Sequence, residues 1–155
     1  QMKKINTHTR YLHENIINYS ERLLSYMPSA IDRVMFMCSG SEANDLALRI
    51  CMAYTGGTGI LISQEAYHGN TQLVSAISPS IGGGQKLLDS VRLVPTPDYY
   101  RHGNSDEEFT AWYCTEIQKQ IDDMNAHGIK LACFIADSIF LLIRCFNIDL
   151  YVKKC

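Results

Sequence analysis

Short apolar runs alternate along this chain with longer stretches of helical period, and that alternation restricts it to an α/β fold with a mainly parallel sheet flanked by helices. The runs are residues 34–37, 59–63, 91–94 and 131–136. Between the first two, Ala43, Leu46, Ala47, Ile50 and Ala53 share one helical face, and Gly56-Gly57 supplies the stop. Strand, helix, strand in this order predicts a parallel pair joined by a right-handed crossover. Sheets of this kind carry their ligands beyond the carboxyl ends of the strands. Ahead of them, Leu12, Ile16, Tyr19 and Leu23 predict a helix that lays one side on a core, capped by Thr7 or Thr9 and ending near Tyr26, before Pro28. Ser105 and Glu108 form a capping box for a last helix, whose stripe of Phe109, Tyr113, Ile117, Ile121 and Met124, widened by Trp112, reads as core. Gly128 is its stop. Residues 75–90, with Pro79 and Gly82-Gly83-Gly84, read as a flexible turn; the Lys-Ser/Thr of a nucleotide-binding loop is missing there.

The junction at Cys38-Ser39-Gly40-Ser41-Glu42-Ala43-Asn44-Asp45 concentrates the chemistry. An apolar run gives way to small, hydroxyl-bearing residues and then to a helix. Ser39 and Glu42 fit a capping box, in which a hydroxyl and a carboxylate satisfy backbone N–H groups at the helix start. Gly40 lets the backbone approach a ligand, and the remaining amides, reinforced by the helix dipole, suit a phosphate. Two readings share these residues: a helix cap that binds nothing, and an anion site.

Composition narrows the partners. A net charge of −2 over 155 residues provides no basic field for nucleic acid or an anionic membrane. Cys38, Cys51, Cys114, Cys133, Cys145 and Cys155 contain no C-x-x-C pair and read as buried free thiols in a reducing compartment. His8, His13, His102 and His127 show no metal-ligand spacing and read as surface or loop residues. Residues 1–20 lack the continuous apolar stretch of a signal peptide. The expected compartment is therefore cytoplasm or mitochondrial matrix. Gln1 is not an initiating residue, which leaves an upstream targeting segment open.

The wording of the junction carries a resemblance. CSGSEANDLALRI resembles the SGSEAN-x-LALR signature of class III, fold-type I aminotransferases, which depend on pyridoxal 5′-phosphate (PLP), and Ala66-Tyr67-His68-Gly69-Asn70-Thr71 resembles the A-Y-H-G-x-T that follows it. The resemblance implies that Gly40 and Ser41 donate backbone and hydroxyl hydrogen bonds to the cofactor phosphate, that Tyr67 lies against the pyridoxal ring, and that His68 belongs to the same site. Asp98-Tyr99-Tyr100-Arg101 is similar to a family loop. Asp137, in Ile135-Ala136-Asp137-Ser138, stands where the family commonly has Glu at the cofactor site; a strand-terminal Asp that merely meets solvent is the other reading. Residues 5–12, INTHTRYL, resemble a branch containing alanine–glyoxylate aminotransferase-like proteins and ethanolamine-phosphate phospho-lyase.

The likeness runs over residues 5–140 and implies part of a large PLP-binding domain at 1–140, followed by a departing tail at 141–155. Asp137, Arg144 and Asp149 interrupt the apolar character around that tail too often for a membrane span. The lysine that bonds to PLP in the family lies well downstream, and Lys3, Lys4, Lys86, Lys119, Lys130, Lys153 and Lys154 match no such motif. No catalytic residue or metal ligand is assigned, and without that lysine this chain by itself is expected to be inactive. The resemblance leaves three functional readings. One is a piece of a homodimeric aminotransferase moving an amino group between an amine or amino acid and an oxo acid; the second is a piece of a phospho-lyase acting on a phosphorylated amine; the third is a non-catalytic remnant that binds at a dimer interface.

Overall fold

The computed structural model describes residues 12–81, 86–103 and 105–137. It divides into two compact units, one ending at Phe36 and the other beginning at Met37.

In the first unit, α1 (Glu14–Leu24) is capped by the ring of His13, whose Nδ1 accepts from the Asn15 amide at 3.2 Å. The capping role expected of Thr7 or Thr9 therefore falls to a residue read as plain surface. The helix ends two residues earlier than expected and has no buried residue; Leu12, Ile16 and Tyr19 are all exposed. Tyr19 meets Phe36 with ring centroids 5.5 Å apart, a tilted aromatic contact. An apolar stripe states what a helix could bury, and among the described residues none of this one is buried.

The second unit holds a three-stranded parallel sheet in the order β2-β1-β3, with β1 (Gly59–Ser63), β2 (Val91–Val94) and β3 (Leu131–Ile135). Ile60 stands opposite Val91 on one side and Cys133 on the other. As the central strand, β1 is buried along its whole length, which accounts for its unbroken apolar run. Alternate residues serve opposite faces. Ile60 and Ile62 join Leu48 of α2 (Gly40–Thr55) together with Val74, Ile77 and Val91. Leu61 joins Val94, Tyr113 and Met124 on the face covered by α5 (Asp106–Ala126). Each large side chain buried in this way contributes roughly 1.5–3 kcal/mol. Burial also pushes the Tyr113 hydroxyl up to about 12. Arg92 of β2 pairs with Asp123 of α5, holding that helix to the sheet.

The fold class is as expected, and the core stripe of α5 is buried at Phe109, Tyr113 and Met124. Four readings are corrected. Among the described residues, 34–37 form no strand: Met35, Phe36 and Met37 are exposed, so the predicted strand–helix–strand pair with β1 is not formed by them. An apolar run becomes a strand only when another strand pairs with its backbone, and the run cannot specify that partner. Residues 75–81 are not a loose turn. They complete α3 (Gln72–Ser75) and a 3-10 turn at Pro79–Ile81, and Ile77 is fully buried. The segment Asp98 to Arg101 contains a short helix, α4 (Tyr99–His102), with the Asp98 side chain accepting from the Arg101 amide. Among the cysteines, Cys38, Cys51 and Cys133 are free thiols, but Cys38 is exposed and the other two only half-buried, and Cys114 is disulfide-bonded. The triglycine at 82–84, the segment at 5–11, and the tail at 141–155 with Cys145 and Cys155 lie outside the described residues.

Candidate functional site

The start of α2 is built as its residues dictate. Ser39 is the N-cap: its hydroxyl accepts from the Glu42 amide at 3.2 Å and donates to the Glu42 carboxylate at 3.0 Å. The Ala43 amide bonds to the Ser39 carbonyl at 3.0 Å. Helix geometry leaves the amides of Gly40 and Ser41 without an intrahelical acceptor. A Cβ added to Gly40 would meet nothing within 4 Å, so the backbone there is open to an incoming group.

Downstream of β1, the loop carrying Tyr67 to Asn70 is fastened onto this helix start. The Asn70 amide donates to Ser41 Oγ at 3.1 Å, and Ser41 Oγ donates to Asn70 Oδ1 at 3.1 Å. Asn44 Nδ2 donates to the His68 carbonyl at 2.7 Å. Thr71 Oγ1 donates to Asp45 Oδ2 at 3.0 Å. Gly69 is at φ 136°, and a Cβ there would stand 2.4 Å from Ser41 Oγ; only glycine permits this approach. From the other side, the His68 amide donates to Ser78 Oγ at 2.9 Å and Ser80 Oγ donates to the Ala66 carbonyl at 3.0 Å.

Two of the five nominated residues, Ser41 and His68, are tied into this connection by observed hydrogen bonds. Ser41, adjacent to Gly40, is hydrogen-bonded to Asn70 and pressed against Gly69, and His68 is held by Asn44 of the same helix. The Tyr67 ring is about half exposed and available as a platform. His68 is buried, and among the described residues its Nε2 has no hydrogen-bond partner. Burial holds its pKa below the ordinary value, while the nearby Asp137 carboxylate pulls it upward. Asp137 is thus close enough to His68 to act on its charge; it is half-buried rather than merely solvated. Tyr67 is brought to the group by its place in the chain, with no side-chain hydrogen bond of its own among the described contacts.

Asn44, Asp45, Asn70 and Thr71 carry the connection between helix and loop, and sequence reasoning assigned them no role. They lie inside the two motif matches, which was the available signal. Ser78 had none, because its partner is set by how the turn at 79–81 folds back. Among the described residues, no group of three His, Cys, Asp or Glu could hold a metal ion, and no helix is long and apolar enough to cross a membrane.

Comparison with known proteins gives this arrangement a context. The sequence model of the family described as aminotransferase class-III matches residues 1–139. An alanine–glyoxylate aminotransferase 2-like protein of Drosophila melanogaster is 35% identical over 147 residues, covering 90% of this chain and 30% of that protein. An ethanolamine-phosphate phospho-lyase homolog of Caenorhabditis elegans is 28% identical over 153 residues, covering 90% and 32%. Among solved structures, a phospholyase from Arthrobacter in complex with phosphoethanolamine superposes with a TM-score of 0.80 at 34% identity, covering 90% of this chain and 33% of that one. The chain spans about a third of the length of these relatives. Class III aminotransferases use pyridoxal 5′-phosphate. With a family match over most of its length and a fold that superposes on the family's solved members, the chain belongs to the class III aminotransferases.

Proposed function

We propose that the start of α2 and the Tyr67–Asn70 loop form part of a PLP site, and that the whole protein moves an amino group between an amine or amino acid and an oxo acid. The observation that carries the reading is the pair of hydrogen bonds between Ser41 and Asn70, which brings the open amides of Gly40 and Ser41 to the loop bearing Tyr67. The residues present fit a phosphate monoester with an attached aromatic ring. Two amides at a helix N-terminus attract the anion, the open backbone at Gly40 admits it, and the exposed phenol of Tyr67 offers a face for the ring. The Glu42 carboxylate also occupies the first turn and opposes the anion, but it is held by Ser39.

When bound, PLP supplies an electron sink that stabilises negative charge developing on the substrate carbon. This chain's residues bind and orient it. Gly40 and Ser41 hold the phosphate, Tyr67 covers the ring, and His68, kept neutral by burial, borders the site with Asp137 beside it. None of the chain's lysines is assigned the covalent role. The whole protein acts as a homodimer in the cytoplasm or mitochondrial matrix, without nucleic acid as partner. Supporting the compartment, one relative from Arabidopsis thaliana is named as mitochondrial.

A second reading, phosphate elimination from a phosphorylated amine, is favoured by the likeness to the phospholyase structure, at TM-score 0.80. Assay of the full-length protein separates the two: amino-group transfer to an oxo acid supports the first, and phosphate release from phosphoethanolamine without transfer supports the second. Failure of both removes the proposal. Sedimentation of that protein tests the dimer, and organelle fractionation tests the compartment.

A further inference from the structure

We propose that the Asn70 carboxamide directs the hydroxyl proton of Ser41, and so governs how firmly the start of α2 holds a phosphate; this rests on the phosphate reading above. A hydroxyl has one proton and two acceptor sites. At Ser41 the backbone N–H of Asn70 fills one acceptor site, and Asn70 Oδ1 takes the proton, both at 3.1 Å. In this arrangement the hydroxyl has no proton left for an anion. A half-turn of the carboxamide about its Cβ–Cγ bond exchanges Oδ1 for Nδ2 in nearly the same place. Nδ2 then donates into the second acceptor site, and the Ser41 proton must point elsewhere.

The surroundings permit that exchange. Asn70 is exposed, so no packing blocks rotation of its amide. Its backbone stays in place because Thr71 is bonded to Asp45 and Gly69 is pressed against Ser41. The freed proton belongs to the same helical turn as the open amides of Gly40 and Ser41. A phosphate oxygen is a charged acceptor and outcompetes a neutral carboxamide. Asn70 is therefore a positioning residue acting through Ser41, at the motif position that the family pattern leaves open.

The test uses the whole chain and pyridoxamine 5′-phosphate, which lacks an aldehyde to react with surface lysines. Binding is measured by titration calorimetry at high salt, which screens simple charge repulsion. Asp at position 70 can only accept, so Asn70→Asp keeps the Ser41 proton permanently. We expect Asn70→Asp to weaken binding about tenfold or more when Ser41 is present, and about threefold or less in the Ser41→Ala background, the difference being the part transmitted through the hydroxyl. Equal penalties in the two backgrounds overturn the inference while leaving the phosphate reading intact. Absence of saturable binding by the wild-type chain, or full-strength binding by Ser41→Ala, defeats the phosphate reading at Ser41 and this inference with it. A second measurement needs no variant: the Asn70 Nδ2 proton resonances of the wild-type chain shift on saturation with ligand, and unchanged resonances count against the exchange.

Discussion

Asn44 Nδ2 donates a 2.7 Å hydrogen bond to the main-chain carbonyl of His68, whose own amide donates at 2.9 Å to Ser78. One peptide segment is thus held from the helix on one side and from Ser78, just ahead of the 3-10 turn, on the other. The backbone of a loop that bears a ring platform and a buried imidazole is fixed by two residues far apart in sequence, Asn44 and Ser78.

Replacing Asn44 removes one of these attachments. Asn44→Ala leaves a part-buried carbonyl without its donor, which costs about 1–3 kcal/mol. Urea unfolding should show that loss, and pyridoxamine 5′-phosphate should bind more weakly, because the Tyr67 loop no longer has its fixed position. Unchanged stability would mean that water replaces the amide without cost.

Gly69 and Gly128 form a matched pair. Both have positive φ, but a Cβ at Gly69 meets Ser41 Oγ at 2.4 Å, while at Gly128 it meets nothing within 4 Å. Gly128→Ala should cost about 1 kcal/mol, the backbone preference alone. Gly69→Ala adds a clash and should cost about 2–4 kcal/mol. It should also displace the Ser41 hydroxyl and weaken ligand binding, which Gly128→Ala leaves unchanged. Paired denaturation and calorimetry on the two variants check both statements.

His68 sets a pH dependence of known sign. Burial holds its folded pKa below the ordinary 6.5, more than the Asp137 carboxylate raises it. Between the two values the unfolded chain carries more protons than the folded one, so the contribution of His68 to stability is full above about pH 7 and falls as pH drops below 6.5. The difference in unfolding free energy between wild type and His68→Gln should be flat at neutral pH and move against the wild type on acidification. A difference independent of pH would show that the imidazole has the same proton affinity folded and unfolded.

Ile62 lies fully buried in the central strand, among Leu48, Val74 and Ile77. Ile62→Ala should cost about 2–5 kcal/mol, combining lost transfer energy with the cavity left behind. Thermal unfolding measures it. Because β1 leads directly into the Tyr67 loop, the same variant should loosen ligand binding in proportion to its effect on stability.

Periodicity and capping chemistry were sufficient for the elements whose environment is symmetrical or local. The run at 59–63 is apolar without interruption because both faces of β1 are covered. Ser39 and Ser105 start their helices through hydroxyls accepting from residues three positions on, a contact confined to one turn. The motif words around Gly40, Ser41, Tyr67 and His68 identified the family and where its site should be sought. Residues 34–37 show where such reasoning fails: their apolar character is real, yet among the described residues no strand pairs with them. Likewise the stripe of α1 has the right spacing and buries no residue.

The order of residues alone therefore determined the helices α2 and α5, the strand runs at 59–63, 91–94 and 131–135, and which words belong to class III aminotransferases, because caps, periodicity and motif words are local. Only the tertiary structure decided that Ser41 meets Asn70 and that Asn44 holds His68. Those contacts join residues separated by most of a helix, a strand and the loops between. Their existence depends on how a parallel sheet stacks against its helices, a property that no local pattern encodes.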